Sequence, residues 1–159
     1  MQNLRLKLWF LVLTPWQQNL VRTSYRLLER EKKHPNNFVD YSFIVFSMAK
    51  AYEGFLKKVL FDLKLIDKKA YEGRRFRIGR ALNPDMREKY RDKFWLYDDL
   101  AKQCGERNAR YVWDTWLSCR NRVFHFFPKD KGQLSLIAAE ERLVMMDTAM
   151  GKLISCISN

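Results

Sequence analysis

Histidine is nearly missing from this chain, with only His34 and His125 in 159 residues. Cysteine is also too sparse for a metal site or a disulfide framework: Cys104, Cys119 and Cys156 are odd in number, widely spaced, and include no C-x-x-C pair. With no histidine at ligand spacing, that set argues against zinc and reads as buried free thiols in a reducing cytoplasm. A thiol nucleophile at Cys119 working with His125 is chemically conceivable, but nothing else in the chain resembles an acyl-transfer centre. Long apolar runs are absent, since none approaches the roughly 18 to 20 residues that a bilayer-spanning helix needs. The short run from Leu8 to Leu13 lacks a small-residue cleavage site and leads into Thr14-Pro15, so it reads as core rather than as a signal peptide. Acids are in deficit as well, 18 against 30 Lys and Arg, for a formal charge of +12. That imbalance asks for a polyanionic partner, either nucleic acid or an anionic membrane surface. The membrane is the poorer fit, because no amphipathic apolar face adjoins the basic residues.

What the chain does have is apolar content of 47%, enough for a packed core. At this length it reads as one domain over 1–159, burying roughly two-thirds of its unfolded surface. Its periodicities are helical throughout and predict an all-α bundle of four to five main helices. The first runs from Pro15 to about Lys33, with Leu20, Tyr25, Leu27 and Leu28 turned inward, and breaks at His34-Pro35. Asp40 caps a second from Tyr41 to about Leu65, apolar around most of its girth and so expected in the middle of the bundle. Glu53 lies inside it and needs a partner. A third helix spans about Ala109 to Phe127 and stops at Pro128. The last begins at Ser135 as a cap, with a seam through Leu136, Ala139, Leu143, Met146, Met150, Leu153 and Ile157.

Between the second and third helices, segment 67–95 stands apart. From Lys68 to Lys93 it holds ten Lys or Arg against four acids (72, 85, 88 and 92), a net +6. Gly73, Gly79 and Pro84 interrupt it, so a long loop with a short helix is expected. The plain reading is a solvated surface. The sharper one is a phosphate-tracking lobe led by Arg74, Arg75, Arg77 and Arg80, with Arg122 adding a further cation nearby.

The most informative stretch is Arg120-Asn121-Arg122-Val123-Phe124-His125 in the third helix. Arg120 falls on an apolar stripe with Trp113, Leu117, Phe124 and Phe127, where an arginine must be paired or face a cleft. Ser118, Asn121, Arg122 and His125 share a more polar face, and Asn121 and His125 are four apart and in reach of each other. On an ideal helix Arg120 and His125 point about 140° apart. Imidazole moves protons near neutral pH, and guanidinium grips phosphate. Cleaving RNA through its 2′-hydroxyl needs both, so the pair suggests chemistry on RNA. Plainer pairing is the rival: Arg120 bound to Glu53, pinning two helices, with His125 at the bundle's edge.

An all-helical chain of this size with R-N-x-x-x-H in its third long helix resembles the HEPN superfamily. The stretch Ala51-Tyr-Glu-Gly-Phe-Leu-Lys-Lys58 adds to the likeness, and Asp40-Tyr-Ser-Phe-Ile-Val-Phe46 is similar to the ribonuclease domain of RNase LS-type toxins. The resemblance covers nearly the whole chain. It implies a metal-independent, cofactor-free endoribonuclease of toxin–antitoxin or phage-defence type, with two copies of the motif meeting across a homodimer. Arg120 and His125 would be the catalytic pair, Asn121 their support, and Glu53 a looser acidic correspondence. Family members silenced by nucleotide transfer carry a tyrosine where this chain has Phe127, so a protein antitoxin or another domain is the expected control. A noncatalytic RNA-binding or assembly module is the alternative.

Overall fold

Thr14 opens the first long helix through its side chain. Its hydroxyl accepts from Gln17 N at 3.3 Å, while Gln17 Oε1 accepts from Thr14 N at 2.9 Å. This reciprocal box is worth about 1 kcal/mol to the helix end, and Pro15 supplies the first helical position. The computed structural model describes residues 4–125, 128 and 132–157. Within them the chain is an all-α bundle, with no strand among the described residues. Its α-helices are α1 (Leu8–Leu11), α2 (Pro15–Lys33), α3 (Ser42–Asp62), α4 (Lys68–Glu72), α5 (Ile78–Ala81), α6 (Tyr97–Cys104), α7 (Glu106–Trp116), α8 (Arg122–Phe124) and α9 (Leu136–Ile157). Short 3-10 turns stand at Leu4–Leu6 and Glu88–Tyr90.

α3 lies against α2 on one side and α9 on the other, and α7 packs on α6 and α9. Tyr52, Phe55 and Leu56 of α3 meet Val112 of α7 and Leu143, Met146 and Met150 of α9 in the core. Each such side chain contributes about 1.5–3 kcal/mol on burial. Two polar contacts fix the stacking. Ser24 Oγ in α2 accepts from Met48 N at 2.9 Å, and Tyr52 Oη donates to the Val112 carbonyl at 3.1 Å. Asp40 does not cap α3 directly, since Tyr41 is its N-cap residue. Its carboxylate instead accepts from Ser42 N, Ser42 Oγ and Leu134 N, tying the start of α3 to the approach to α9. Ser135 Oγ then caps α9 through Ala138 N.

Four sequence expectations change. α3 is central, as its apolar girth leads one to expect, but not all of that girth is covered: Phe43, Phe46 and Lys50 are exposed and Glu53 and Lys57 half-buried, so one stripe of the helix reaches the surface. The third long helix ends at Phe124, before Phe127 and Pro128; Phe127 lies outside the described residues. In the N-terminal run, Trp9, Phe10 and Leu13 are core, but Leu8, Leu11 and Val12 are exposed. Finally, Cys104 and Cys156 are not free thiols. They form a disulfide between the end of α6 and the end of α9, with Cα atoms 5.5 Å apart. Their spacing in sequence concealed a proximity that the packing of α6 on α9 creates. Segment 67–95 does carry its charge on loops and short helices, α4 and α5, as expected.

Candidate active site

The third long helix changes its winding inside the R-N-x-x-x-H motif. From Leu117 to Asn121 it makes a π-helical turn, with Arg122 N donating to the Leu117 carbonyl five residues back. The wider turn inserts one residue relative to α-helix. Two consecutive side chains thereby serve two neighbours: Cys119 is buried toward α9, its Sγ 3.5 Å from the Arg142 carbonyl, while Arg120 faces α3. After α8 the backbone leaves the helix at His125, which is extended (φ −106°, ψ 135°) and exposed.

This exit brings together what an ideal helix keeps apart. Arg120 Nη1 lies 3.4 Å from His125 Nε2. Guanidinium nitrogens only donate, so at this contact Nε2 is the acceptor. The expected 140° separation is therefore corrected: the pair meets within one chain, because the π turn and the helix end intervene. Arg120 Nε faces Glu53 Oε2 at 3.5 Å, with both side chains about one-third exposed (34% and 35%). The sequence demand that Arg120 be paired or face a cleft is met by pairing, through Glu53. The Arg120 guanidinium also sits 5.6 Å from the centre of the Trp116 ring. Asn121 joins His125 through backbone, its carbonyl accepting from His125 N at 3.3 Å. Arg122 is exposed beside them.

Cys119 is no rival nucleophile. Burial pushes its thiol pKa up to about 12, with the nearby Arg142 charge offsetting part of the effect. A thiol this hard to ionise stays inert at neutral pH.

The basic segment meets the site along α3. Lys57, one turn beyond Glu53, donates to the Gly73 carbonyl at 2.8 Å. Burial lowers its pKa, the Glu53 charge raises it and the Arg77 charge lowers it, so the ammonium lies between the two regions. Arg74, Arg75 and Arg77 are exposed on the rim of an 880 Å³ groove. Arg80 is not available in the same way: its Nη2 pairs with Asp92 at 2.7 Å and donates to the Tyr90 carbonyl at 3.3 Å. Sequence reasoning missed Trp116 and Lys57. Trp116 stands four residues before Arg120, the spacing of helical neighbours, and that was the available signal.

Among the described residues, no group of three or more His, Cys, Asp or Glu is arranged to hold a metal ion, and no helix is long and apolar enough to cross a membrane. No known protein family, curated protein or solved structure matches the chain. What stands defined is therefore a class: an all-α bundle with an arginine–histidine pair at the open end of a π-distorted helix.

Proposed function

We propose that this protein is a metal-independent endoribonuclease of the HEPN type, in which Arg120 and His125 cleave RNA by activating its 2′-hydroxyl. The observation that carries the reading is the 3.4 Å approach of the Arg120 guanidinium to the exposed His125 imidazole. In this role the Arg120 guanidinium turns from His125 Nε2 to the phosphate, the freed Nε2 takes the 2′-hydroxyl proton, and the 2′-oxygen attacks the adjacent phosphorus. Arg120 stabilises the charge that gathers on the nonbridging oxygens. The leaving 5′-oxygen needs a proton, and the products are a 2′,3′-cyclic phosphate and a free 5′-hydroxyl. General acid and base contributions of this kind are each worth about 10²- to 10⁴-fold.

One imidazole performs one of these proton transfers at a time, so a second copy of the chain would supply the other. Exposed Phe43 and Phe46 support a homodimer at this place. Phe46 meets Phe124 edge-on at 5.4 Å, one residue from His125, which puts apolar surface to be covered next to the pair. The same surface suits a masking antitoxin, in keeping with a toxin or phage-defence role in the cytoplasm. Asn121 supports the pair through backbone, Glu53 positions Arg120, and Arg74, Arg75, Arg77 and Arg122 bind phosphates.

The test is cleavage of single-stranded RNA in EDTA by wild type and His125→Ala. Wild type should release cyclic-phosphate ends, and the variant should lose at least about a hundredfold in rate. Metal-dependent cleavage untouched by the substitution would defeat the mechanism. A second reading, the noncatalytic RNA-binding or assembly module, is favoured by the Arg120–Glu53 pair, a tie between α3 and the π turn that gives Arg120 a structural role. RNA binding with no cleavage by either protein would establish it.

A further inference from the structure

The 880 Å³ groove beside α4 and α5 has an unusual lining for a loop-rich surface. Its two acids are already engaged: Asp67 accepts from Ala70 N at 2.7 Å, capping α4, and Asp92 pairs with Arg80. Lys69, Arg74, Arg75, Arg77 and Lys93 line it with no acidic partner among the described residues. Two half-exposed phenyl rings, Phe76 and Phe94, lie 6.0 Å apart along it. Lys93 Nζ stands 5.1 Å from the centre of the Phe94 ring, and Phe94 meets Phe76 edge to face, so the rings leave only part of their surface uncovered. Cations without an acidic partner beside half-exposed aromatic rings suit a single strand, phosphates on the former and bases on the latter. A duplex, with its bases stacked inward, would use only the cations.

The groove is also mechanically continuous with Arg120. Gly79 in α5 lies flat on the Trp116 ring, so closely that a Cβ there would stand 2.1 Å from the ring's Cη2. Trp116 in turn lies under the Arg120 guanidinium, and Lys57 links the Gly73 carbonyl on the groove's wall to the neighbourhood of Glu53. Among the described residues Trp116 Nε1 is buried without a hydrogen-bond partner, so stacking on Trp113, 5.5 Å away, and not a hydrogen bond is what holds the indole against a push from α5.

We propose that this groove seats an unpaired RNA segment flanking the nucleotide at Arg120, and that α5 and Trp116 transmit its occupancy to the Arg120–His125 pair. The seating stands on the groove alone, while its catalytic consequence rests on the ribonuclease reading. The probe for seating is a labelled single-stranded RNA carrying 2′-O-methyl groups, which lacks the nucleophile and cannot be cut. Fluorescence anisotropy should show at least a tenfold loss of affinity in Lys69→Ala/Arg75→Ala, with a much smaller loss for a duplex of the same sequence. Equal losses for strand and duplex, or none, would overturn the seating. A mononucleotide added in competition separates sources: displacement of the strand at micromolar levels would mark a free-nucleotide site instead.

The coupling is read without RNA and without catalysis. The protein has only two histidines, so their ring proton NMR signals are assigned with His125→Ala. Gly79→Ala should shift the His125 signal and leave that of His34 in place. If Gly79→Ala does not fold, Trp116→Phe is read in the same way. An unmoved His125 signal in a folded variant would overturn the coupling. Because neither measurement depends on cleavage, an inactive wild type would defeat the ribonuclease reading while the groove is judged on its own data.

Discussion

Arg120 is held on three sides, by Glu53 at Nε, by His125 at Nη1 and by the Trp116 ring, and each contact limits where its charge can go. Glu53 is the contact that fixes orientation, since it takes the edge of the guanidinium opposite His125. A half-exposed pair of this kind contributes little to stability, of order 1 kcal/mol or less. Its effect on positioning is expected to be larger. Glu53→Gln keeps the shape and removes the charge, so single-turnover cleavage should slow about tenfold, equivalent to about 1.4 kcal/mol in the barrier. The melting temperature should barely move. A rate equal to wild type would reduce Glu53 to a tether between helices.

At the scale of elements, junctions decide more than helices do. Asp40 binds the first turn of α3 to Leu134, and those hydrogen bonds have an electrostatic signature. Burial pushes its carboxyl pKa up, but donation from Leu134 N, Ser42 Oγ and Ser42 N outweighs this and leaves it below the ordinary value. A carboxyl with a depressed folded pKa stabilises fully above the unfolded value, about 3.9, and loses that contribution as pH falls through the folded pKa. Asp40→Asn should therefore melt at lower temperature than wild type at pH 6, with a smaller gap at pH 3, below the unfolded carboxyl value. Thermal melts at the two pH values check this, and a gap independent of pH would mean the charge is immaterial. The long helices were legible in sequence because caps and periodicity are local: Pro15–Lys33 and the Ser135 cap follow from a few adjacent residues. The π turn was not, because it answers to neighbours on two other helices, Arg142 on α9 and Glu53 on α3. The exposed stripe on α3 escaped for a similar reason. A run such as Phe43-Ile44-Val45-Phe46 does not reveal which of its residues the bundle leaves uncovered. The candidate pair was readable as residue types, but its contact depended on where the helix ended.

For the whole molecule, the Cys104–Cys156 bridge is the longest-range covalent constraint, its ends separated by 52 positions in sequence. Closing a loop of that size typically stabilises by about 2–4 kcal/mol. Reduction, or Cys104→Ser/Cys156→Ser, should lower the urea midpoint accordingly, as followed by circular dichroism. Unchanged unfolding would mean the bridge adds nothing to the packing of α6 on α9. In a reducing cytoplasm the two sulfurs would stand as adjacent thiols, and Cys119 would remain sealed in the core. The bridge has one more consequence. The R-N-x-x-x-H motif lies on a closed covalent ring, so a single protease nick between residues 104 and 156 yields no separate fragment. Under oxidising conditions the cut chain still travels as one particle even when unfolded, and separating the pieces takes a reductant together with a denaturant.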